Sequence, residues 1–202
     1  MFNGLQSPLL SMLFSGYLDA SEPMHHSNTT QRLKILDVGP ACPATVRFFS
    51  QIRSRLYFAD LFAEQMQTSG SAGQDDSIEL SFPTLENYPD GEQFDLCFLW
   101  DFLNYLDTPA LQAFNLALQP FIHSGTRAYA FTTQSSRQPM PELLYGIEDQ
   151  EHLCENLRSQ LDLKLHTHSL SDLKDYFPCL NITRSRLLTD GRIEIFMSAH
   201  GN

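Results

Sequence analysis

Basic residues are scarce in this chain of 202: 13 lysines and arginines stand against 24 aspartates and glutamates, for a formal net charge of -11. Phosphate backbones are held chiefly by Lys and Arg, so this balance argues against nucleic acid as a partner. The small basic groups, Arg53 with Arg55 and Arg184 with Arg186, read as solvated surface. Cysteine is sparse too. Cys42, Cys97, Cys154 and Cys179 lie far apart, with no C-x-x-C pair and no histidine at zinc-finger spacing. That pattern predicts no metal site and reduced, intracellular thiols. The neighbouring His25 and His26 fall in a polar stretch and read as solvated side chains. The apolar run from Pro8 to Phe14 is too short and interrupted to span a bilayer, which takes about 20 residues. The first basic residue is Arg32, so the charged start of a secretory signal is missing. A cytoplasmic protein without a membrane partner is expected.

What is present points to a folded core. Hydrophobic residues make up 42% of the chain, with 15 phenylalanines, and the length suits one domain. Leu10, Leu13, Phe14 and Tyr17 recur on one helical face, followed by a polar linker over Ala20 to Thr30. Residues 1–32 therefore read as a helix and linker preceding a domain over 33–202, the helix being a candidate lid. Leu33 to Val38 is a short apolar run ending at Gly39, as in a buried parallel strand. Pro43 is placed as the first residue of a helix carrying Val46, Phe49 and Ile52. Leu56 to Asp60 reads as a second strand ending in a carboxylate, which completes a βαβ unit.

Farther on, Gln67 to Asp76 reads as a loop, Ile78 to Phe82 as a short strand and Pro83 to Gln93 as loop again. Phe94 to Asp101 is the clearest strand of the chain. Thr108 and Pro109 supply an N-cap and first helical residue for a helix with Leu111, Phe114 and Leu118 on its apolar face. A strand over Arg127 to Thr133 follows, then helices at Gln150 to Leu161 and Asp172 to Phe177. Two last strands, Asn181 to Leu188 and Arg192 to Ala199, meet at Asp190-Gly191, a strong hairpin signal. Strands alternating with helices imply a mostly parallel sheet covered on both faces. Ligands in such sheets bind beyond the carboxyl ends of the strands, where strand order reverses. That places functional residues just after Val38, Ala59 and Trp100.

In this order the chain resembles the class I S-adenosylmethionine (SAM) dependent methyltransferases over roughly residues 33 to 200. Ile35-Leu36-Asp37-Val38-Gly39 resembles the first-strand motif, Asp60 the acid ending the second strand, and Phe94-Asp95-Leu96 the opening of the fourth. Leu118-Gln119-Pro120 before Gly125 resembles the approach to the fifth, and the closing hairpin the family's last two strands. The resemblance implies a Rossmann-like, doubly wound, mostly parallel seven-stranded sheet with a C-terminal antiparallel hairpin. It implies SAM as cofactor, bound by Asp37, Gly39, Ala41, Asp60 and Trp100, with Asp60 accepting hydrogen bonds from the ribose. Asp101 and Asn104 are the candidate catalytic residues, facing the sulfonium or the methyl acceptor. The acceptor is expected to be a small molecule or a protein.

The sequence departs from the family in its glycine-rich turn. Gly39-Pro40-Ala41-Cys42-Pro43 stands where G-x-G-x-G is usual, and no clear acidic residue comes directly after the expected third strand. Pro43 removes an N–H donor from the turn. These departures keep open an alternative: a catalytically inactive methyltransferase-like protein that serves as a binding or regulatory module. A nicotinamide-binding fold is the weaker option, since G-x-G-x-x-G is also missing.

Overall fold

The computed structural model describes residues 4–18, 32–70, 81–133, 142–158 and 163–199. The Ala20–Thr30 linker, most of the expected strand at Ile78–Phe82 and the end of the expected loop at Gln67–Asp76 lie outside them. The elements are β1 (Leu5–Gln6), α1 (Pro8–Phe14), β2 (Leu33–Asp37), α2 (Pro43–Phe49), β3 (Ser54–Phe58), α3 (Leu61–Gly70) and α4 (Pro83–Glu86). Next come β4 (Phe94–Trp100), α5 (Thr108–Leu118), β5 (Ile122–Thr133), β6 (Leu143–Ile147) and β7 (His152–Leu157). The last three are α6 (Leu170–Tyr176), β8 (Asn181–Leu187) and β9 (Arg192–Ser198).

The main sheet has the order β3-β2-β4-β5-β9-β8, with the first four strands parallel and β9 antiparallel to both β5 and β8. Among the described residues it is a mixed sheet of six strands, where seven, mostly parallel, were expected. Central β2 and β4 are the most apolar because parallel neighbours and covering elements bury both their faces; Ile35, Leu36, Leu96, Cys97 and Phe98 are all fully enclosed. From β2 the chain passes to β3 on one side, then returns to β4 on the other. The reversal of strand order therefore lies between β2 and β4, and a crevice is expected beyond their carboxyl ends.

The N-terminal helix forms as its sequence predicts. Ser7 caps α1 by accepting from the Leu10 N–H at 2.9 Å, and Pro8 opens the first turn. Leu10, Leu13 and Phe14 are buried against the sheet over β5 and β9, with the Phe14 ring 5.3 Å from Phe48 and 5.9 Å from Phe49. Among the described residues, no helix is long and apolar enough to cross a membrane.

Several expectations are corrected. The helix expected at Gln150–Leu161, of which 159–161 lie outside the described residues, is replaced by the second half of a hairpin: β6 and β7 pair antiparallel, and β1 adds to β7 to make a separate three-stranded sheet. Its turn is closed by Asp149, whose carboxylate accepts from the N–H groups of Glu151 and His152, both at 2.8 Å. Leu153 is buried while Leu157 is 88% exposed, so their i, i+4 spacing does not mark one face. The cap of α5 is Asp107, which accepts from the Ala110 N–H, so Thr108 is already helical. Residues read as loop form the end of α3 and the short α4.

Candidate functional site

The strand ends at the switch point share an uncommon backbone feature. Among the described residues, the non-glycine residues with positive φ are Asp60 (40°) and Trp100 (49°). Each closes a parallel strand flanking β2. At Asp60 the left-handed turn returns the chain so that the Leu61 N–H donates to the Val38 carbonyl at 2.9 Å, binding the end of β3 to the end of β2. Aspartate is one of the few side chains that tolerates this region; tryptophan is not, and its strain must be held by its surroundings. Trp100 sits where the β4–β5 register shifts, and its ring is stacked between Phe98 (5.1 Å) and Tyr145 of β6 (5.3 Å, planes 10° apart). A register shift of this kind re-aims side chains at the rim of a sheet.

Asp37 lies beneath this stack. Its Oδ1 accepts from Trp100 Nε1 at 2.6 Å and from the Gly39 N–H at 2.9 Å, while Oδ2 is buried without a hydrogen-bond partner among the described residues. Burial pushes its carboxyl up to about 7; the two hydrogen bonds oppose this, and the nearby Asp60 carboxylate adds to it. Gly39 is glycine because of close approach: a Cβ there would stand 3.3 Å from Asp37 Oδ1 and 3.4 Å from Trp100 Cδ1. Asp60 is half-buried and accepts one long bond, 3.4 Å, from the Ala63 N–H. Ala41 and Pro43 are exposed in the turn, and Cys42 is buried beneath it.

Of the residues singled out in the sequence, Asp37, Gly39 and Trp100 are joined by hydrogen bonds and Asp60 acts on the Asp37 carboxyl, whereas Asp101 has other partners. Asp101 follows Trp100 and is fully buried. Its Oδ2 accepts from the Tyr105 hydroxyl at 3.3 Å, and Oδ1 lies 3.6 Å from Arg158 Nη2. Burial raises its carboxyl to about 6, against the pull of Arg158. Asn104 is different. Its amide donates to the carbonyls of Asp101 (3.0 Å) and Phe131 (2.9 Å) and accepts from Thr132 Oγ1 (3.0 Å). Every polar atom of that side chain is committed to fastening the turn after β4 to the end of β5.

Sequence reasoning missed the residues that the β6–β7 hairpin brings in and the β9 arginine that bonds to them. Tyr145 covers Trp100. Arg158 lies 3.9 Å over the Phe62 ring, and Arg192 is buried, donating to Glu155 Oε1 (2.6 Å) and the Tyr145 hydroxyl (3.1 Å). A signal for the last was present: Arg192 and Glu194 alternate with isoleucines in a strand whose two charged side chains are both buried. No cluster of three or more metal-ligating side chains occurs among the described residues.

No protein-family model matches the sequence, and no curated protein matches it. Solved structures do. The Burkholderia thailandensis 1,6-didemethyltoxoflavin-N1-methyltransferase, solved with 1,6-didemethyltoxoflavin and S-adenosylhomocysteine, is 11% identical over 96% of this chain and 77% of its own, with a TM-score of 0.51. A SAM-dependent methyltransferase from Methanosarcina mazei is 13% identical over 90% and 99%, with a TM-score of 0.48. Another from Clostridium acetobutylicum is 16% identical over 83% and 84%, with a TM-score of 0.45.

Proposed function

Because the chain has a methyltransferase-like α/β fold, we propose that it is a SAM-dependent methyltransferase acting on a small-molecule or protein acceptor. One observation supports the reading: the buried Asp37 carboxylate at the end of β2 is bonded to Gly39 and Trp100 and lies within electrostatic reach of Asp60, with the left-handed residues Asp60 and Trp100 at the ends of the strands on either side. SAM is cationic at both its sulfonium and its amino group, so an acidic crevice suits it. The residues present fit. Asp60 uses little of its accepting capacity and retains oxygens for both ribose hydroxyls. Asp37 keeps an unpartnered buried oxygen for the amino group. Gly39 and Ala41 let the backbone come close, and Trp100 supplies an apolar wall.

When bound, SAM supplies an electrophilic methyl group: the acceptor atom bonds to the methyl carbon, the carbon–sulfur electrons stay on sulfur, and the acceptor's proton is released. The protein's part is to hold the acceptor in line, exclude water and receive that proton. Asp101 is the base in this reading. A carboxyl at about 6 is ionised at neutral pH and still more basic than an exposed aspartate. Asn104 positions the turn that carries it.

The second reading, a module without catalysis, has its own support: Tyr145 stacked on Trp100 and Pro43 without an N–H. Calorimetric titration with SAM and S-adenosylhomocysteine separates the two. The methyltransferase reading expects micromolar binding of both, and no binding at millimolar ligand would overturn it.

A further inference from the structure

The guanidinium of Arg158 is enclosed and half-satisfied. Its side chain is 10% exposed. Nη2 alone carries its bonds, donating to the Leu143 carbonyl at 2.7 Å and pairing with Asp101 Oδ1 at 3.6 Å. Nε and Nη1 are buried without a hydrogen-bond partner among the described residues, and so is Asp101 Oδ1. An unmet buried donor is destabilising, and an unmet donor on a charged group more so. The two donors belong to the guanidinium that pairs with Asp101 Oδ1, an acceptor without a hydrogen bond among the described residues, just past the carboxyl end of β4.

The other buried arginine shows what a purely structural guanidinium looks like here. Arg192 is matched by Glu155, Asp190 and the Tyr145 hydroxyl. Arg158 is held in place from one side, by the face of Phe62 at 3.9 Å and by the Leu143 carbonyl. Two of its nitrogens make no hydrogen bond among the described residues.

We propose that Arg158 anchors the methyl acceptor, and that the acceptor is a small molecule carrying a carboxylate beside the N–H or O–H group that is methylated. The carboxylate takes the free donors of Arg158, and the neighbouring N–H or O–H donates to Asp101 Oδ1. Arginine suits this role because its fixed planar donors orient a carboxylate as well as attract it. A protein side chain as acceptor is disfavoured, since the donors of Arg158 are buried and a small molecule needs less displacement of the surroundings to reach them. The inference rests on the methyltransferase reading and assigns its substrate class.

The test is calorimetry on the full chain with two carboxylates, mandelate and pyrrole-2-carboxylate, each against its own primary amide. Wild type, Arg158→Lys and Arg158→Met are compared in saturating S-adenosylhomocysteine. At least one acid is expected to bind wild type tenfold or more tightly than its amide. That ratio falls toward one in Arg158→Met and is partly kept in Arg158→Lys. A purely structural role for Arg158 would weaken acid and amide together and leave the ratio unchanged. Equal binding of acid and amide to wild type, binding of neither, or a preference that survives in Arg158→Met overturns the proposal. Failure of S-adenosylhomocysteine itself to bind sinks the cofactor reading separately, and the same series run without it still decides the anchor.

Discussion

Trp100 Nε1 donates a 2.6 Å hydrogen bond to Asp37 Oδ1, joining the end of β4 to the end of β2 across the point where strand order reverses. The bond fixes the indole of a residue held at a φ of 49° and satisfies one oxygen of a buried carboxylate. Trp100→Phe keeps an aromatic ring against Tyr145 but removes the donor. Denaturant unfolding at pH 8, where Asp37 is ionised, is expected to show a loss of about 1.5–3 kcal/mol, the usual scale for a hydrogen bond to a charged group. A loss near zero would mean that the bond contributes nothing to holding the strand ends.

Asp37 also gives the stability a pH dependence. Burial raises its folded-state carboxyl from 3.8 to about 7, so between these values the folded chain holds a proton that the unfolded chain has released. The group's stabilising contribution is full below about pH 4 and is lost as pH rises through 7. Asp37→Asn cannot ionise and keeps the accepting oxygen. It is predicted to be more stable than wild type at pH 8, on the order of 4 kcal/mol, with no advantage at pH 4. Equal gains at both pH values would rule out ionisation as the cause.

Asp60 allows backbone and side chain to be separated. Glycine adopts the left-handed region freely, whereas alanine is strained there. Asp60→Gly and Asp60→Ala should both weaken SAM binding by about 1.5–3 kcal/mol, the scale of a lost charged hydrogen bond. Only Asp60→Ala should also lower the melting temperature. Unchanged affinity in both variants would remove Asp60 from the site.

Gly146 lies where the hairpin meets the turn that holds Cys42. A Cβ on it would stand 2.3 Å from Cys42 Sγ and 2.8 Å from Cys154 Sγ. Gly146→Ala should destabilise by about 1–3 kcal/mol through overpacking. Adding Cys42→Ala should recover part of that loss, because neighbouring sites couple. A double-mutant cycle showing simple additivity would contradict the contact.

The βαβ unit from Leu33 to Asp60 was legible because each signal is local: an apolar run for a strand buried on both faces, and Pro43 where a helix starts. Asp190-Gly191 announced the last hairpin in the same way, and Gly191 has a φ of 88°. The β6–β7 hairpin was not legible. Leu153 and Leu157 imitate a helical face, and the Asp149 bonds that close the turn leave no mark on hydrophobic periodicity. For the proposed site, Asp37, Gly39 and Asp60 were singled out by their places at strand ends, and these places are what the structure shows. The partners Tyr145 and Arg158 arrive on a segment far along the chain, and pairing of that kind is set by tertiary register. Asn104 shows the converse: its place after β4 suggested catalysis, and its amide bonds give it a fastening role.

A crystal structure of the protein grown with S-adenosylhomocysteine tests the central claim most directly. The account predicts the ligand beyond the carboxyl ends of β2 and β4, with its ribose hydroxyls within hydrogen-bonding distance of Asp60 and its amino group near Asp37. A saturated crystal with the ligand elsewhere, or with Tyr145 and Trp100 still stacked over a closed crevice that holds none, would contradict it.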